Sequence, residues 1–349
     1  MLATIIHGER DIRVEERADP VVIAATDATV RVVASCVCGS DLWTYRGIRA
    51  LARPKPIGHE FVGIVESVGT EVVDVRPGDF VISPFTSSDG TCPSCLNGMQ
   101  ATCDHLSFFG GKDTEGHDLP GAQGEIVRVP FADGTLVVVP SPVEAALIPG
   151  LLSLSDVMST GHHGAVSANV GPESTVVVVG DGAVGLCAVL AASRLGAKRI
   201  IAMSRHADRQ ALAREFGATD IVEERGAEAG ERIRDLLGGV LADSVIEAVG
   251  TKESMEQAIA SVRPGGTLGH VGVPAGGSEL PIQTLFERNI TVAGGMAPAR
   301  AYIPELLPDV LSGAIDPGRV FDLSLPLAEA AEAYAAMDER RAIKVLLRP

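Results

Sequence analysis

The chain has 349 residues, of which 46% are hydrophobic, and a formal net charge of −16 at pH 7. This length predicts two domains with a large buried core, and the acidic balance disfavours nucleic acid and anionic membrane surfaces as partners. No apolar run reaches the length of about 20 residues that a membrane-spanning helix needs. The first residues also lack the basic start and apolar segment of a secretion signal. We therefore expect a soluble, cytoplasmic protein.

Two regions with different patterns follow one another along the chain. Residues 1–150 contain short β-branched runs between turns rich in Gly and Pro, such as "ATVRVVASC", "FVGIVESVG" and "DFVISPF". These runs predict an all-β, barrel-like domain. From residue 174 onward, six strand-like runs alternate with helical stretches, and the alternation weakens after about residue 297. This second pattern predicts a doubly wound parallel sheet.

The first strand-like run of the second region leads directly into a glycine motif. "STVVVVGDGAVG" contains Gly180, Gly182 and Gly185 between a strand and a helix, which is typical of a dinucleotide site. The first glycine allows a tight turn, the second lets a pyrophosphate approach the backbone, and the third lets the helix pack against the strand. The phosphates are then expected at the free N–H groups of the helix N-terminus, beside Ala183 and Val184.

The next strand-like run ends at the position that distinguishes NAD from NADP. An NAD site has an acidic residue about 20 residues after the glycines, which accepts a hydrogen bond from the ribose 2′-hydroxyl. This chain has Ser204 there, followed by Arg205, with Arg209 close by. A hydroxyl and a guanidinium can donate to a 2′-phosphate that a carboxylate would repel, so the sequence favours NADP. The alternative is that Arg205 is a solvated loop residue.

Three separate motifs contain side chains that zinc accepts as ligands. Cys38 lies in "CVCGSD", His59 in "PIGHEFVG" and Asp156 in "SLSDVMSTGHHG", near the end of the predicted β domain. A catalytic zinc needs three protein ligands and one open position. Each residue also has an ordinary interpretation, since Cys38 could be buried, His59 a core histidine and Asp156 a helix cap. The spacing alone does not decide between these interpretations.

Taken together, "CGSD", "GHE", the aspartate of "SDVMSTGHHG" and the glycine motif resemble the zinc-dependent medium-chain alcohol dehydrogenases. The resemblance covers the whole chain. It implies a GroES-like β-barrel catalytic domain over residues 1–157 and 297–349, and a Rossmann domain over residues 158–296. It also implies a catalytic zinc on the cysteine, histidine and aspartate described above.

The same resemblance assigns further residues to the site. Glu60 matches an acid near the zinc that orients the site or touches the metal. Lys344, in "AIKVLL", matches a cationic contact to a cofactor phosphate. The segment "VGVP", residues 271–274, matches the nicotinamide lining, so cofactor contacts are expected at Val271 and Val273. A further cofactor contact is expected at Val249.

The implied reaction moves a hydride between NADP(H) and an alcohol or carbonyl compound, and Ser40 is expected to take the hydroxyl proton. Many family members have a proton-relaying histidine three residues later, where this chain has Trp43. Because Trp cannot relay a proton, the exit must use the cofactor ribose, water or another side chain such as His163. Trp43 either lines the substrate pocket, as Phe85 is expected to do, or packs in the core, and both interpretations stay open.

A cysteine-rich stretch, "DGTCPSCLNGMQATC", matches the structural-zinc lobe of the family. That lobe has four ligands separated by two, two and seven residues, and the stretch keeps this spacing with an acid in the first position. Its four candidate ligands are Asp89, Cys92, Cys95 and Cys103. A carboxylate oxygen is an acceptable ligand of tetrahedral zinc, so we expect a bound structural zinc. An empty lobe and a local disulfide are the alternatives.

Two rival functions remain after these assignments. A polyol or sugar dehydrogenase would have the same architecture, whereas a non-catalytic zinc- and nucleotide-binding protein would bind both ligands without turnover. For an alcohol dehydrogenase, as for a polyol or sugar dehydrogenase, the expected partner is a small-molecule substrate. The resemblance further implies a homodimer or homotetramer, with weak support from the strand-like run "ITVAGG".

Overall fold

The computed structural model describes residues 1–274 and 279–349. The strands are β1 (Leu2–Gly8), β2 (Asp11–Glu16), β3 (Ala28–Cys36), β4 (Lys55–Pro56), β5 (Phe61–Val68), β6 (Phe80–Ser83), β7 (Thr86–Ser87), β8 (Ser107–Phe108), β9 (Ile126–Val129), β10 (Val137–Val138), β11 (Thr175–Val179), β12 (Arg199–Met203), β13 (Asp220–Val222), β14 (Ala242–Glu247), β15 (Val262–His270), β16 (Thr291–Gly294), β17 (Phe321–Pro326) and β18 (Lys344–Arg348).

The helices alternate with the strands mainly in the second half of the chain. They are α1 (Asp41–Tyr45), α2 (Pro93–Leu96), α3 (Ala132–Thr135), α4 (Ile148–Leu154), α5 (Val157–Ser167), α6 (Ala183–Arg194), α7 (Ala207–Glu215), α8 (Gly226–Leu236), α9 (Lys252–Ser261), α10 (Ile282–Arg288), α11 (Ala299–Ser312) and α12 (Ala330–Asp338). Short 3₁₀ turns span Gln100–Thr102, Ala145–Leu147, Pro317–Val320 and Leu327–Glu329.

The chain divides into two compact units. The first comprises Met1–Ser159 and Pro298–Pro349, and the second comprises Thr160–Ala297. The first unit is built mainly on β-sheets and the second on a parallel sheet with helices. The fold class predicted from the sequence, a β domain with a doubly wound α/β domain, is therefore confirmed.

The first unit is organised around a seven-stranded sheet. Its order is β10-β6-β5-β3-β18-β17, with β9 also paired to β3. β3 pairs antiparallel with β5, which places Ser35 opposite Phe61. The last strand, β18, returns from the end of the chain and places Leu346 opposite Cys36. The ends of β3, β5 and β18 therefore lie together, although they are far apart in sequence.

A buried ionic group lies beside this sheet in the first unit. Arg128, on β9, is 2% exposed and donates to Asp27 at 2.9 Å and to Asp113 at 2.6 Å. A buried guanidinium needs such partners because desolvation of an unpaired charge is costly. Burial opposes ionisation of Asp113, but the hydrogen bonds from Arg128 and His117 outweigh it and lower the pKa from 3.8 to about 2.

The second unit contains a six-stranded sheet whose pairs are all parallel, in the order β13-β12-β11-β14-β15-β16. The run Val176–Val179 on β11 is buried, as expected for a central strand that is covered on both faces. The strand order reverses between β11 and β14. In such sheets, ligands bind beyond the carboxyl ends of the strands at this point. The glycine motif follows β11 at that end.

None of the helices within residues 1–274 and 279–349 combines the length and the apolar character needed to cross a bilayer.

Candidate metal and dinucleotide sites

The predicted catalytic zinc ligands meet in the first unit. Cys38 follows β3 and His59 precedes β5, and the antiparallel pairing of these strands brings the two side chains together. Asp156 lies between α4 and α5. One ligand atom from each of these residues and from Glu60 lies within 4.8 Å of every other. Elements distant in sequence thus converge on one group of four side chains.

The distances in this group fit a tetrahedral zinc. Asp156 Oδ2 lies 3.7 Å from Cys38 Sγ and 3.4 Å from His59 Nε2. Zinc bonds of about 2.0–2.3 Å in tetrahedral geometry separate ligand atoms by about 3.3–3.8 Å. In addition, Glu60 is 0% exposed, and its Oε2 has no hydrogen-bond partner among the described residues. An acceptor buried in this way is what a cation nearby would satisfy.

The electrostatics of the group also favour a cation. Burial opposes a positive charge on His59, but Cys38 and Asp41 raise the pKa of its imidazole well above 6.5. Burial and the neighbouring Glu60 raise the pKa of the Cys38 thiol. The same acceptor atoms can therefore hold protons or a metal. Metal binding releases those protons, so acid should weaken it.

Asp41 lies next to two of the candidate ligands, Cys38 and His59. Its Oδ2 accepts a hydrogen bond from the Cys38 backbone N–H at 3.1 Å, and its Oδ1 lies 3.6 Å from His59 Nδ1. The Tyr334 hydroxyl lies 3.4 Å from Asp41 Oδ2 and 3.1 Å from Gln123 Oε1. Such partners orient metal ligands. Asp41 stands in the "CGSD" motif, but the motif did not reveal this network.

Lys344 has a buried partner that its motif did not indicate. Its Nζ donates to Glu60 Oε1 at 2.8 Å and to Val37 O at 3.2 Å, and the side chain is 1% exposed. The cause is the register of β18, which pairs Leu346 with Cys36 and so brings Lys344 beside the metal group. A buried ammonium needs an anionic partner, and Glu60 supplies it. Lys344 is thus engaged by Glu60 within the first unit, a contact that the resemblance did not indicate.

The predicted catalytic residues of the "CGSD" segment lie next to the metal group. Ser40 Oγ is 3.2 Å from Cys38 Sγ. Trp43 is half-buried, whereas its neighbours on α1 pack into the core, and the Arg46 guanidinium lies 5.9 Å from the Trp43 ring centroid. The ring of Phe85 contacts His59 edge-on, with the centroids 6.4 Å apart. Ser40 and Phe85 therefore border the candidate metal site directly.

The cysteine-rich stretch forms a second group of candidate ligands. Asp89, Cys92, Cys95 and Cys103 each place one ligand atom within 4.8 Å of the others. The six cysteines all lie within the described residues and form no disulfide, and Cys92 Sγ lies 3.8 Å from Cys103 Sγ, far beyond the disulfide bond length of about 2.05 Å. The backbone N–H groups of Asp89 and His105 both donate to Cys103 Sγ at 3.3 Å. These donors stabilise negative charge on sulfur, as a zinc lobe requires.

His105 also holds the carboxylate of this lobe. Its Nδ1 lies 2.7 Å from Asp89 Oδ2, while Asp89 Oδ1 accepts from the N–H groups of Thr91 at 2.7 Å and Cys92 at 2.9 Å. Burial opposes ionisation of Asp89, but the hydrogen bonds from His105 and the backbone outweigh it and lower the pKa. The carboxylate is therefore ionised and fixed in orientation. His105 is the conspicuous residue of the lobe that the motif spacing did not reveal.

We expect His105→Ala to weaken zinc binding in the lobe by about 10- to 100-fold, because the carboxylate would lose the partner that orients it. The release of zinc to a chromophoric chelator would measure this change, with the zinc of the lobe followed separately from that of the other ligand group. His117→Ala is a suitable control, since His117 contacts Asp113 outside both groups of ligands. Unchanged release of the lobe zinc would remove His105 from the site.

The glycine motif has the geometry expected of a dinucleotide loop. Gly180 has φ +118°, which favours glycine, and a Cβ on Gly185 would lie 2.0 Å from Gly180 O. Nothing lies within 4 Å of the Cβ position of Gly182, so the loop is open there. Gly182 caps α6, whose first residues are Ala183 and Val184. The three glycines thus have the roles of turn, open approach and close packing.

Two loops that follow β14 and β15 carry the other expected cofactor contacts. Val249 and Val273 are partly exposed, and Val271 is buried. Buried Glu247 connects the loops, because its Oε1 accepts from Val249 N and Gly250 N at 2.8 Å and its carbonyl accepts from Val271 N at 2.9 Å. No motif in the sequence marked this glutamate. It orders the carboxyl ends of two neighbouring parallel strands.

The residues expected to select NADP lie at the end of β12. Ser204 is buried, and its Oγ donates to Asp181 Oδ2 at 2.7 Å. Arg209 Nη1 lies 3.2 Å from Asp181 O and 3.4 Å from Asp181 Oδ1. Arg205 is exposed, and its Nε donates to Glu223 O at 3.2 Å. The carboxylate of Asp181, from the glycine loop, therefore lies beside Ser204 and Arg209, a contact that the sequence motifs did not reveal.

Comparisons with known proteins agree with this arrangement. Residues 24–141 match the family model "Alcohol dehydrogenase GroES-like domain", and residues 183–312 match "Zinc-binding dehydrogenase". A probable zinc-binding alcohol dehydrogenase of Mycobacterium tuberculosis is 37% identical over 100% of this chain and 89% of its own length.

Solved structures give the same result. The alcohol dehydrogenase TADH from Thermus sp. ATN1 is 34% identical, with a TM-score of 0.91 over 100% of this chain and 99% of that one. A structure described as a zinc-binding dehydrogenase from Sinorhizobium meliloti, bound to NADP, is 28% identical, with a TM-score of 0.82 over 100% of this chain and 99% of that one.

Proposed function

The chain belongs to the zinc-dependent medium-chain dehydrogenase family and is a zinc oxidoreductase of small molecules, and from this premise we propose that it exchanges a hydride between NADP(H) and an alcohol/carbonyl pair. The observation that carries the proposal is the group of Cys38, His59 and Asp156, whose ligand atoms have the separations of a tetrahedral zinc site. Three ligands leave one position open, as a catalytic zinc requires.

The chemistry divides between the bound groups and the side chains. When bound, zinc acts as a Lewis acid on an alcohol or carbonyl oxygen, and the nicotinamide carries the hydride. Ser40 borders the candidate metal site and is the group that we assign to hold the hydroxyl proton. Asp41 orients the ligands Cys38 and His59 through its two oxygens.

We assign Glu60 to balance positive charge at the metal site rather than to transfer a proton. Its Oε1 is bound to the Lys344 ammonium, while its Oε2 has no hydrogen-bond partner among the described residues. The ion pair with Lys344 holds the Glu60 carboxylate next to the zinc ligands. We assign Trp43 and Phe85 to the substrate pocket, because Phe85 contacts His59 and Trp43 is only half-buried.

The preference for NADP is the finer part of the proposal. It is supported by Ser204 in place of an acidic residue, by the adjacent Arg205, and by the NADP in the related Sinorhizobium structure. In the same proposal, phosphates contact Gly182, Ala183 and Val184 at the start of α6. The nicotinamide contacts the loops that carry Val249, Val271 and Val273.

We expect kcat/KM with NADPH to exceed that with NADH by about 10- to 100-fold, because hydrogen bonds to a charged phosphate contribute about 1.5–3 kcal/mol. A panel of ketones, aldehydes, alcohols and polyols, followed by nicotinamide absorbance with each cofactor, would measure this ratio. A higher kcat/KM with NADH would contradict the cofactor preference. Zinc-loaded protein without turnover on any compound would contradict the enzymatic function.

We also infer the substrate class, the compartment and the oligomeric state of the protein. The relatives described above are alcohol dehydrogenases, so a polyol or sugar dehydrogenase is not favoured. We place the protein in the cytoplasm as a homodimer or homotetramer. β16 supports an oligomer, since it lies at one edge of the six-stranded sheet and its residues are largely exposed.

A further inference from the structure

Two of the donors expected to bind a 2′-phosphate are already engaged by a carboxylate. Ser204 Oγ donates to Asp181 Oδ2, and Arg209 lies beside both the carboxylate and the carbonyl of Asp181. Ser204 is 0% exposed and Arg209 is 9% exposed, so neither side chain can move without disturbing its neighbours. The charge of Asp181 also offsets that of Arg209. The positive charge that a dianionic phosphate needs must therefore come from elsewhere.

A second arginine lies beside Arg205. Arg225 Nη1 donates to Glu223 O at 3.1 Å, and Arg205 Nε donates to the same oxygen at 3.2 Å. Arg225 also donates to Glu224 O at 2.8 Å and is half-buried. Two guanidinium groups that share one acceptor atom lie side by side. Each retains N–H groups that this oxygen does not use, because a guanidinium has five donors.

The neighbouring carboxylates do not neutralise this pair by direct contact. The Glu223 carboxylate accepts from Gln210 Nε2, and the Glu224 carboxylate accepts from the Glu223 backbone N–H. Burial and the charge of Arg205 lower the pKa of Arg225, against smaller opposing effects of Asp181 and Glu224. Two guanidinium groups held side by side in this way can bind one anion together. A phosphate monoester, with a charge of about −1.5 to −2 at pH 7, complements them.

We propose that Arg225 is a specificity-determining residue, which together with Arg205 forms a pair of guanidinium groups that binds the 2′-phosphate of an adenosine ribose. The inference rests on the proposed cofactor preference and extends it to a residue outside the glycine motif and outside the end of β12. Arg225 immediately precedes α8 and follows β13, the strand next to β12 in the sheet. The adjacency of these two strands is what brings the two arginines together.

The test uses calorimetric binding of two nucleotides to the zinc-loaded full chain, adenosine 2′,5′-bisphosphate and adenosine 5′-monophosphate. They differ only in the 2′-phosphate. For Arg225→Gln we expect about tenfold weaker binding of the bisphosphate and a less than twofold change for the monophosphate, since charge-assisted hydrogen bonds to one phosphate are lost. Arg225→Lys should retain part of the affinity, because it keeps the charge but not the planar geometry.

Arg232→Gln is the matched control, because it removes the same charge from an exposed position on α8 and should leave both affinities unchanged. Equal losses for both nucleotides in Arg225→Gln, or no loss for either, would overturn the role of Arg225 while leaving the cofactor preference intact. A wild-type protein that binds the two nucleotides equally would overturn the cofactor preference, and the role of Arg225 with it. Such a protein could still turn over with NADH, so this result would leave the enzymatic function itself intact.

Discussion

Asp156→Ala is expected to lose one of two zinc ions per chain and to lower kcat/KM by at least about a thousandfold. Asp156 supplies an oxygen whose separations from Cys38 Sγ and His59 Nε2 are those of ligand atoms that share one zinc. Without it, two protein ligands remain, together with a carboxylate that is bound to Lys344. A bound zinc contributes several kcal/mol of charge stabilisation, and each 1.36 kcal/mol corresponds to a tenfold change in rate.

Elemental analysis alongside steady-state kinetics would measure both effects. Asp118→Ala is the control, because it removes an exposed carboxylate of the same unit that pairs only with Lys112 among the ion pairs described. The zinc that remains in Asp156→Ala should be the one held by Cys92, Cys95 and Cys103. A variant that kept both zinc ions and its turnover would show that Asp156 is not a ligand.

The second large effect concerns stability. Arg128→Met is expected to lower the free energy of unfolding by about 3–5 kcal/mol, because it leaves the buried carboxylates of Asp27 and Asp113 without their shared cation. Urea unfolding at fixed zinc concentration would measure the loss. Arg263→Met is the matched control, since its pair with Asp243 is partly exposed and should contribute less than about 1 kcal/mol.

The same substitution should change the response to acid. In the wild type, the folded-state pKa of Asp113 is about 2, below its ordinary 3.8, so its ionised form stabilises the fold above pH 3.8 and loses this effect as the pH falls towards 2. Removing Arg128 takes away the largest effect that lowers the pKa of Asp113, although the hydrogen bonds from His117 remain, so unfolding should begin at a higher pH. Identical acid transitions in the two proteins would show that the Arg128–Asp113 contact does not control this titration.

The local motifs were predictable because their chemistry depends on residues close together in the chain. Gly180, Gly182 and Gly185 are constrained by one turn, so their spacing, directly after a strand-like run and before a helical one, predicts the dinucleotide loop. The same holds for the lobe of Asp89 and the three cysteines, where short spacing brings the ligand atoms together. Alternating apolar runs likewise predicted the two fold classes.

The remaining features depend on contacts between segments that are distant in sequence. Lys344 meets Glu60 only because β18 pairs with β3 in one register, and the resemblance suggested a phosphate contact instead. Asp181 lies in the quoted glycine motif, but its contacts with Ser204 and Arg209 require the loop after β11 to lie against the end of β12. Motif spacing contains no information about such registers.

The sequence by itself therefore determined the family, the two-domain architecture, the candidate zinc ligands and the position of the glycine loop. Only the tertiary structure decided which charges neutralise one another, since a buried charge takes the partner that packing brings within reach. It paired Lys344 with Glu60 and Arg128 with two aspartates, and it placed Arg225 beside Arg205. The glycine loop and the cysteine-rich lobe are local in sequence, whereas the charge balance in the folded chain depends on contacts between distant segments.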